Sequence, residues 1–289
     1  MATGDPTFGR RVSRSLLRRR RVRLGLLVGP PALWLVVAYF GALAALLAAS
    51  LFSIDEFTTA IVHKVGLTNF RELVTNSVYR SVTVRTVGVA VAVTLIDIVI
   101  ALPIAFYLAK VAKPRVRSFA AVAILLPLWA SYLVKAYAWR AIVTPSGGVL
   151  DRWIGATPGF GIGAVTIVLA YLWLPYMVLP IYAGLERLPD SLLEASADLG
   201  GRSGRTFRSV IVPLLVPSIV AGSIFTFSLS LGDYIAVRIV GGTTQMLGSV
   251  VYANFVDDLP LAAAFACVPV AIMLVYLTLA RRTGAFDNL

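Results

Sequence analysis

The chain has 289 residues, 58% of them hydrophobic and only 14% charged, with a mean hydropathy of +0.85. Soluble domains sit near about 25% charged, so this composition excludes a water-soluble globule, and its apolar richness excludes a disordered chain. The formal net charge of +12 would point to nucleic acid in a soluble protein, but in an integral membrane protein it marks the cytoplasmic loops, and no nucleic-acid partner is expected.

Residues 1–23 form a basic segment, and Leu24 to Ile54 then carry no charge, well beyond the roughly 20 residues that cross a bilayer. The Arg10-Arg11 pair is followed by further arginines and too long an apolar run for a cleaved export signal, so a retained signal anchor is expected. Further apolar runs follow at Thr86–Ala109, Ser118–Trp139, Trp153–Leu185, Ser209–Gly232 and Leu259–Ala280, the second and third interrupted by Asp97 and Lys135. The expected fold is an all-α integral membrane bundle of about six transmembrane helices over residues 24–280, with a tail at 281–289. Lipid leaves no other partner for the backbone, and the alternation of a barrel is absent. Pro103, Pro127, Pro175, Pro180, Pro217 and Pro269 fall inside these runs as tolerated kinks.

Charge sets the orientation. The N-terminal arginines, Lys110, Lys113, Arg115, Arg117, Arg187, Arg202, Arg205, Arg208, Arg281 and Arg282 all fall on one side. The opposite loops balance Lys64, Arg71, Arg80, Arg85, Arg140, Arg152 and Arg238 against Asp55, Glu56, Glu72, Asp151, Asp233, Asp257 and Asp258. Both termini are therefore expected in the cytoplasm, in a multi-pass protein of the bacterial cytoplasmic (inner) membrane. With one cysteine, Cys267, and one histidine, His63, there is no disulfide framework, Cys/His metal cage or Cys–His nucleophile pair.

Between the fourth and fifth runs, residues 186–213 read as a cytoplasmic insertion with its own amphipathic helix. Asp190 or Ser191 caps it, Leu192, Leu193, Ala195, Ala197 and Leu199 supply apolar positions, and Gly200 and Gly201 end it. A second short helix is expected around Arg205–Val210. Small residues at Ala195, Ser196 and Ala197 fit a close-packed interface with a partner protein. Gly204-Arg205-Thr206 lacks the lysine, spacing and preceding strand of a phosphate loop, so no nucleotide site is expected here.

Glu194-Ala195-Ser196, Gly200, Val210 and Pro213 resemble the Glu-Ala-Ala loop of type I binding-protein-dependent ABC importer permeases, with Ser196, Val210 and Val212 as mild departures. Leu67–Leu73, Ala105–Lys110, Leu126–Ser131, Tyr137–Trp139, Ser230–Tyr234 and Gly241-Gly242 look like the spermidine/putrescine-type permeases, and iron(III), thiamine and opine permeases share versions of them. The resemblance implies a permease subunit, not an enzyme, importing polyamines by alternating access. It would pair with a homologous permease, two ABC ATPase subunits that bind ATP and Mg, and an extracytoplasmic substrate-binding protein. It also implies ATPase coupling through Glu194, Ala195, Ser196, Asp198, Gly200 and Pro213, with Glu194 making a charge-assisted contact.

Candidates for the substrate path are Asp97, Trp129, Tyr132, Lys135, Tyr176, Asp233 and Tyr234, because intramembrane charges default to function and aromatic faces attract cations. Set against this, Asp97 equally fits a hydrogen bond to a Ser or Thr, Lys135 fits snorkelling, and the aromatics fit an interfacial belt. Asp257 and Asp258 fall at the external mouth. The rival substrates are iron(III), thiamine or an organic anion; the rival class is an ion-coupled secondary transporter using Asp97, which has no use for the Glu194–Pro213 loop.

Overall fold

The computed structural model describes residues 20–55, 60–198 and 203–282. Helix α1 (Arg20–Ser50) is apolar all round and exposed over most of its length, which suits lipid or a neighbouring subunit rather than a core. The first run was expected to reach Ile54, but the helix stops at Ser50, whose hydroxyl turns back to the Leu47 carbonyl at 2.7 Å. The chain then forms an antiparallel ribbon of β1 (Ser53–Ile54) and β2 (Ile61–Val62). In α2 (Thr68–Thr75), Asn69 donates to the Ser50 and Phe52 carbonyls at 3.0 and 2.8 Å and ties off the end of α1.

Helix α3 (Ser77–Phe106) begins well before the hydropathy edge at Thr86, because Asn76 caps it by accepting from the Val78 amide at 3.0 Å. It runs into a π-helical turn, Tyr107–Val111, closed by the Ala112 amide on the Tyr107 carbonyl at 2.8 Å. The third run was expected as one helix over Ser118–Trp139. It is instead α4 (Pro114–Trp129) and α5 (Tyr132–Val143), bent by 98° at Ala130-Ser131. Two bonds across the fold hold α5 in this bend: Tyr132 donates to Asp233, and Arg140 donates to the Ile239 carbonyl at 2.7 Å.

The fourth run was expected to start at Trp153, but that residue belongs to the short α6 (Val149–Ile154). Gly155, Gly159 and Gly161 then take positive φ, with Pro158 between them, so no helix continues. Helix α7 (Ile162–Arg187) makes the crossing, followed by α8 (Ser191–Asp198) and α9 (Ser203–Thr206). The short helix expected at Arg205–Val210 is a second π turn, Phe207–Ile211, continuous with α10 (Val212–Gly232). Helices α11 (Ile235–Val240) and α12 (Leu247–Asn254) follow at the far end, and α13 (Leu259–Arg282) crosses back. Among the described residues five helices are long and apolar enough to span, and the bent α4–α5 pair, counted as one broken span, makes six.

The core is α3, α7 and α10 packed together. Lipid gives helices no hydrophobic reason to associate, so close approach through small residues does the work. On α3, Ala90, Thr94, Ala101 and Ala105 recur at helical spacing; on α10, Ser218, Gly222, Thr226 and Ser230 recur every fourth residue. Gly222 allows the closest approach there, since a Cβ would fall 2.8 Å from Met177 Sδ and 3.1 Å from its Cα, so α7 would have to give. A Ser223–Tyr276 hydroxyl pair at 2.5 Å joins α10 to α13.

Candidate functional site

At the end where α7 leaves the bundle, a polar network holds the chain that leads into α8. Lys110, in the π turn after α3, donates to the Leu188 carbonyl and to Asp190 Oδ1, each at 2.7 Å. Arg117 on α4 donates to the Leu108 and Ala109 carbonyls at 3.0 and 2.9 Å, satisfying acceptors that the end of a helix leaves open. Its guanidinium also reaches Glu186 at 3.4 Å, and Tyr182 donates to the same carboxylate oxygen at 2.5 Å.

Helix α8 carries the coupling candidates. Its first turn is closed by the Glu194 amide on the Asp190 carbonyl at 3.1 Å, and the side chains of Glu194, Ala195 and Asp198 are exposed. Ser196, the departure from Glu-Ala-Ala, shares a 2.8 Å hydrogen bond with Thr206 and so links α8 to α9. Pro213 is exposed in the first turn of α10, and Gly200 lies outside the described residues.

At the opposite end, Asp233 is buried and accepts from the Tyr132 hydroxyl and, at 2.9 Å, from the Ala236 amide that opens α11. Tyr132, Trp173, Tyr176 and Phe225 form a run of rings with centroids 5.9, 6.0 and 6.2 Å apart. The Trp173 indole N–H is buried with no acceptor among the described residues. Beyond α11 lies an open cavity of about 660 Å³ lined by Tyr234, Arg238, Tyr252 and Asp257, among others. There Tyr234 stacks on Tyr252 at 4.9 Å, and Arg238 lies 4.7 Å over the Tyr252 ring, an internal cation on an aromatic face.

The remaining candidates separate. Trp129 is 91% exposed at the end of α4, away from the ring cluster, and Lys135 is half-buried on α5. Asp97 is 0% exposed on the face of α3 that carries Thr94 and Ala101. Both its carboxylate oxygens lack a hydrogen-bond partner among the described residues, so neither the Ser/Thr bond nor a Lys135 pair forms. Asp258 caps α13 by accepting from the Leu261 amide at 2.9 Å, while Asp257 is exposed on the cavity lip.

Residues 24–283 match the family of binding-protein-dependent transport system inner membrane components. The chain belongs to this family. It is a permease subunit of an ABC importer and a multi-pass protein of the cytoplasmic membrane. The permease is 40% identical over 288 residues to the inner membrane ABC transporter permease protein YdcU of Escherichia coli (strain K12), covering 92% of this chain and 91% of the relative. It is 32% identical over 208 residues to the spermidine/putrescine transport system permease protein PotB of the same organism, covering 68% and 75%. Its fold matches a chain of the bacterial alginate ABC transporter with a TM-score of 0.71 at 14% identity, covering 93% and 95%. The MetNI methionine ABC transporter matches with 0.56 at 16%, covering 72% and 96%.

The Lys110–Asp190 and Arg117–Glu186 contacts escaped the sequence reading, which counted both cations only as markers of orientation. Their partners lie far along the chain with no local pattern to announce them. Asp233 and Asp258 did carry a signal, an acidic residue three positions before the amide it caps.

Proposed function

We propose that this permease imports polyamines such as spermidine and putrescine, with both termini in the cytoplasm. The observation that carries the substrate class is its 32% identity over 208 residues to a spermidine/putrescine permease. The ring cluster of Tyr132, Trp173 and Tyr176 supports it, since aromatic faces attract ammonium groups by about 0.5–2 kcal/mol each. Helix α8 is the coupling helix. Its exposed Glu194 makes no side-chain bond among the described residues and meets a cationic group on an ATPase subunit, with Ala195, Ser196 and Asp198 alongside and Gly200 and Pro213 framing the loop.

In this reading the permease pairs with a homologous permease, two ATPase subunits and an extracytoplasmic binding protein, and ATP and Mg bind only on the ATPases. Their closure moves α8, and rigid-body rocking of the two permeases opens the path to each side in turn.

The test is ATP hydrolysis in proteoliposomes of the co-expressed complex with its binding protein and spermidine. Stimulation by spermidine in the native complex is expected, and its loss, at least tenfold, in Glu194→Arg with the fold intact. Assembly without stimulation by spermidine replaces polyamines with another small solute. Ion-driven uptake by this chain alone, with no ATPase bound, replaces the importer with a secondary transporter.

A further inference from the structure

We propose that Lys110 is the positioning residue that anchors the coupling helix to the membrane bundle, so that displacement of α8 is delivered to α3. The inference rests on α8 being the ATPase-facing helix and adds how its motion enters the bundle.

Three observations converge on Lys110. Its side chain is only 11% exposed, while that of its partner Asp190 is 76% exposed. An ammonium withdrawn from water needs partners, and two of its three N–H donors find acceptors at 2.7 Å on one short stretch, Leu188 and Asp190. Leu188 is extended at the end of α7, and Asp190 provides the carbonyl that starts α8. Lys110 therefore holds the entry to the helix rather than its exposed face.

The π turn determines where that ammonium lies. One residue more per turn than an α-helix moves everything after it by about 100° around the axis, which selects the face on which Lys110 emerges. Arg117 then fixes the turn by taking the Leu108 and Ala109 carbonyls while touching Glu186. Cations of the α3–α4 corner thus meet Glu186, Leu188 and Asp190 in succession along the stem of α8.

The seat beneath is apolar and narrow. Phe106, Leu185, Leu188, Leu192 and Ile211 line a gap of about 10 Å³, at the threshold for one water. The second π turn packs on the last residue of α3 through an edge-on Phe106–Phe207 contact at 5.7 Å. A stem held by two charge-assisted bonds over such a seat moves with α3 rather than sliding across it.

The test compares native permease, Lys110→Met, Asp190→Ala and the double variant in the assembled complex, with Glu194→Arg alongside. The readouts are ATPase retained on purification and ATP hydrolysed per bound ATPase with no solute or binding protein present. Lys110→Met is expected to retain the ATPase and raise unstimulated hydrolysis about fivefold, because the ATPases then close without carrying α3. Asp190→Ala is expected to raise it about threefold, and the double variant no further than Lys110→Met. A purely structural role predicts lost ATPase instead. Hydrolysis within twofold of native in Lys110→Met overturns the anchor; if that variant fails to fold, an unchanged rate in Asp190→Ala does so, since Asp190 is on the surface. If Glu194→Arg keeps both its ATPase and, once binding protein and spermidine are added, its stimulation, the coupling-helix reading fails separately.

Discussion

Glu194 and Asp233 are carboxylates at opposite ends of the bundle, and their surroundings have little in common. Glu194 is exposed on a short helix whose attachments are all made by other residues: Lys110 to its stem, Ser196 to Thr206. Asp233 is buried, with one oxygen committed to Tyr132 and the other to the Ala236 amide. The contrast separates two uses of an acid in a transport subunit. One lies on the surface and, in the proposed reading, is left for a partner; the other is spent on holding the bend of the third pass against α11.

The contrast breaks most visibly at Asp233. Asp233→Ala removes a helix cap and strands a tyrosine hydroxyl, and is expected to cost about 2–4 kcal/mol of stability. Glu194→Arg in the isolated subunit should leave thermal stability unchanged. Melting curves of both variants in detergent check this, and equal losses would erase the distinction. Between the two ends, Gly222→Leu forces a side chain into Met177 and is expected to cost about 1–3 kcal/mol, read in the same way. A small effect of the opposite sign belongs to Asp97, which serves neither end. Asp97→Asn keeps the shape and removes an unpartnered acid. It is expected to hold spermidine uptake within twofold and raise the melting temperature by about 2–4 °C, the shift expected of roughly 1 kcal/mol. A tenfold loss of uptake would return Asp97 to the substrate path.

The passes were legible because hydropathy integrates over a whole helix, and α8 because its small residues and its spacing to Pro213 are local; the Asp190 carboxylate expected to cap it pairs with Lys110 instead. The break at Ala130-Ser131 was not, since the apolar run continues through Trp129 and Tyr132 and the bend is imposed by Asp233 and Ile239, about a hundred positions away. Gly155, Pro158, Gly159 and Gly161 did spell a loop, but their apolar neighbours Trp153, Ile154 and Phe160 masked it. The π turns at Tyr107–Val111 and Phe207–Ile211 leave no mark at all, because no residue type is reserved for an extra residue per turn. The candidate site divides along the same line: the exposed side chains of α8 were read from the motif, and the Lys110 and Arg117 contacts to its stem needed coordinates.

The 98° bend also decides a matter of parity. Helix α4 has 16 residues, about 24 Å of rise, short of the roughly 30 Å hydrocarbon layer. Alone it would dip in and return, leaving five crossings and the two ends of the chain facing different compartments. Arg117 at its start touches the stem of α8, and Tyr132 just past its end touches Asp233 across the bundle, which supports a pair that traverses as one. With an even count of six, reporters fused before α1 and after α13 are expected to share one compartment; opposite compartments would make α4–α5 a re-entrant pair.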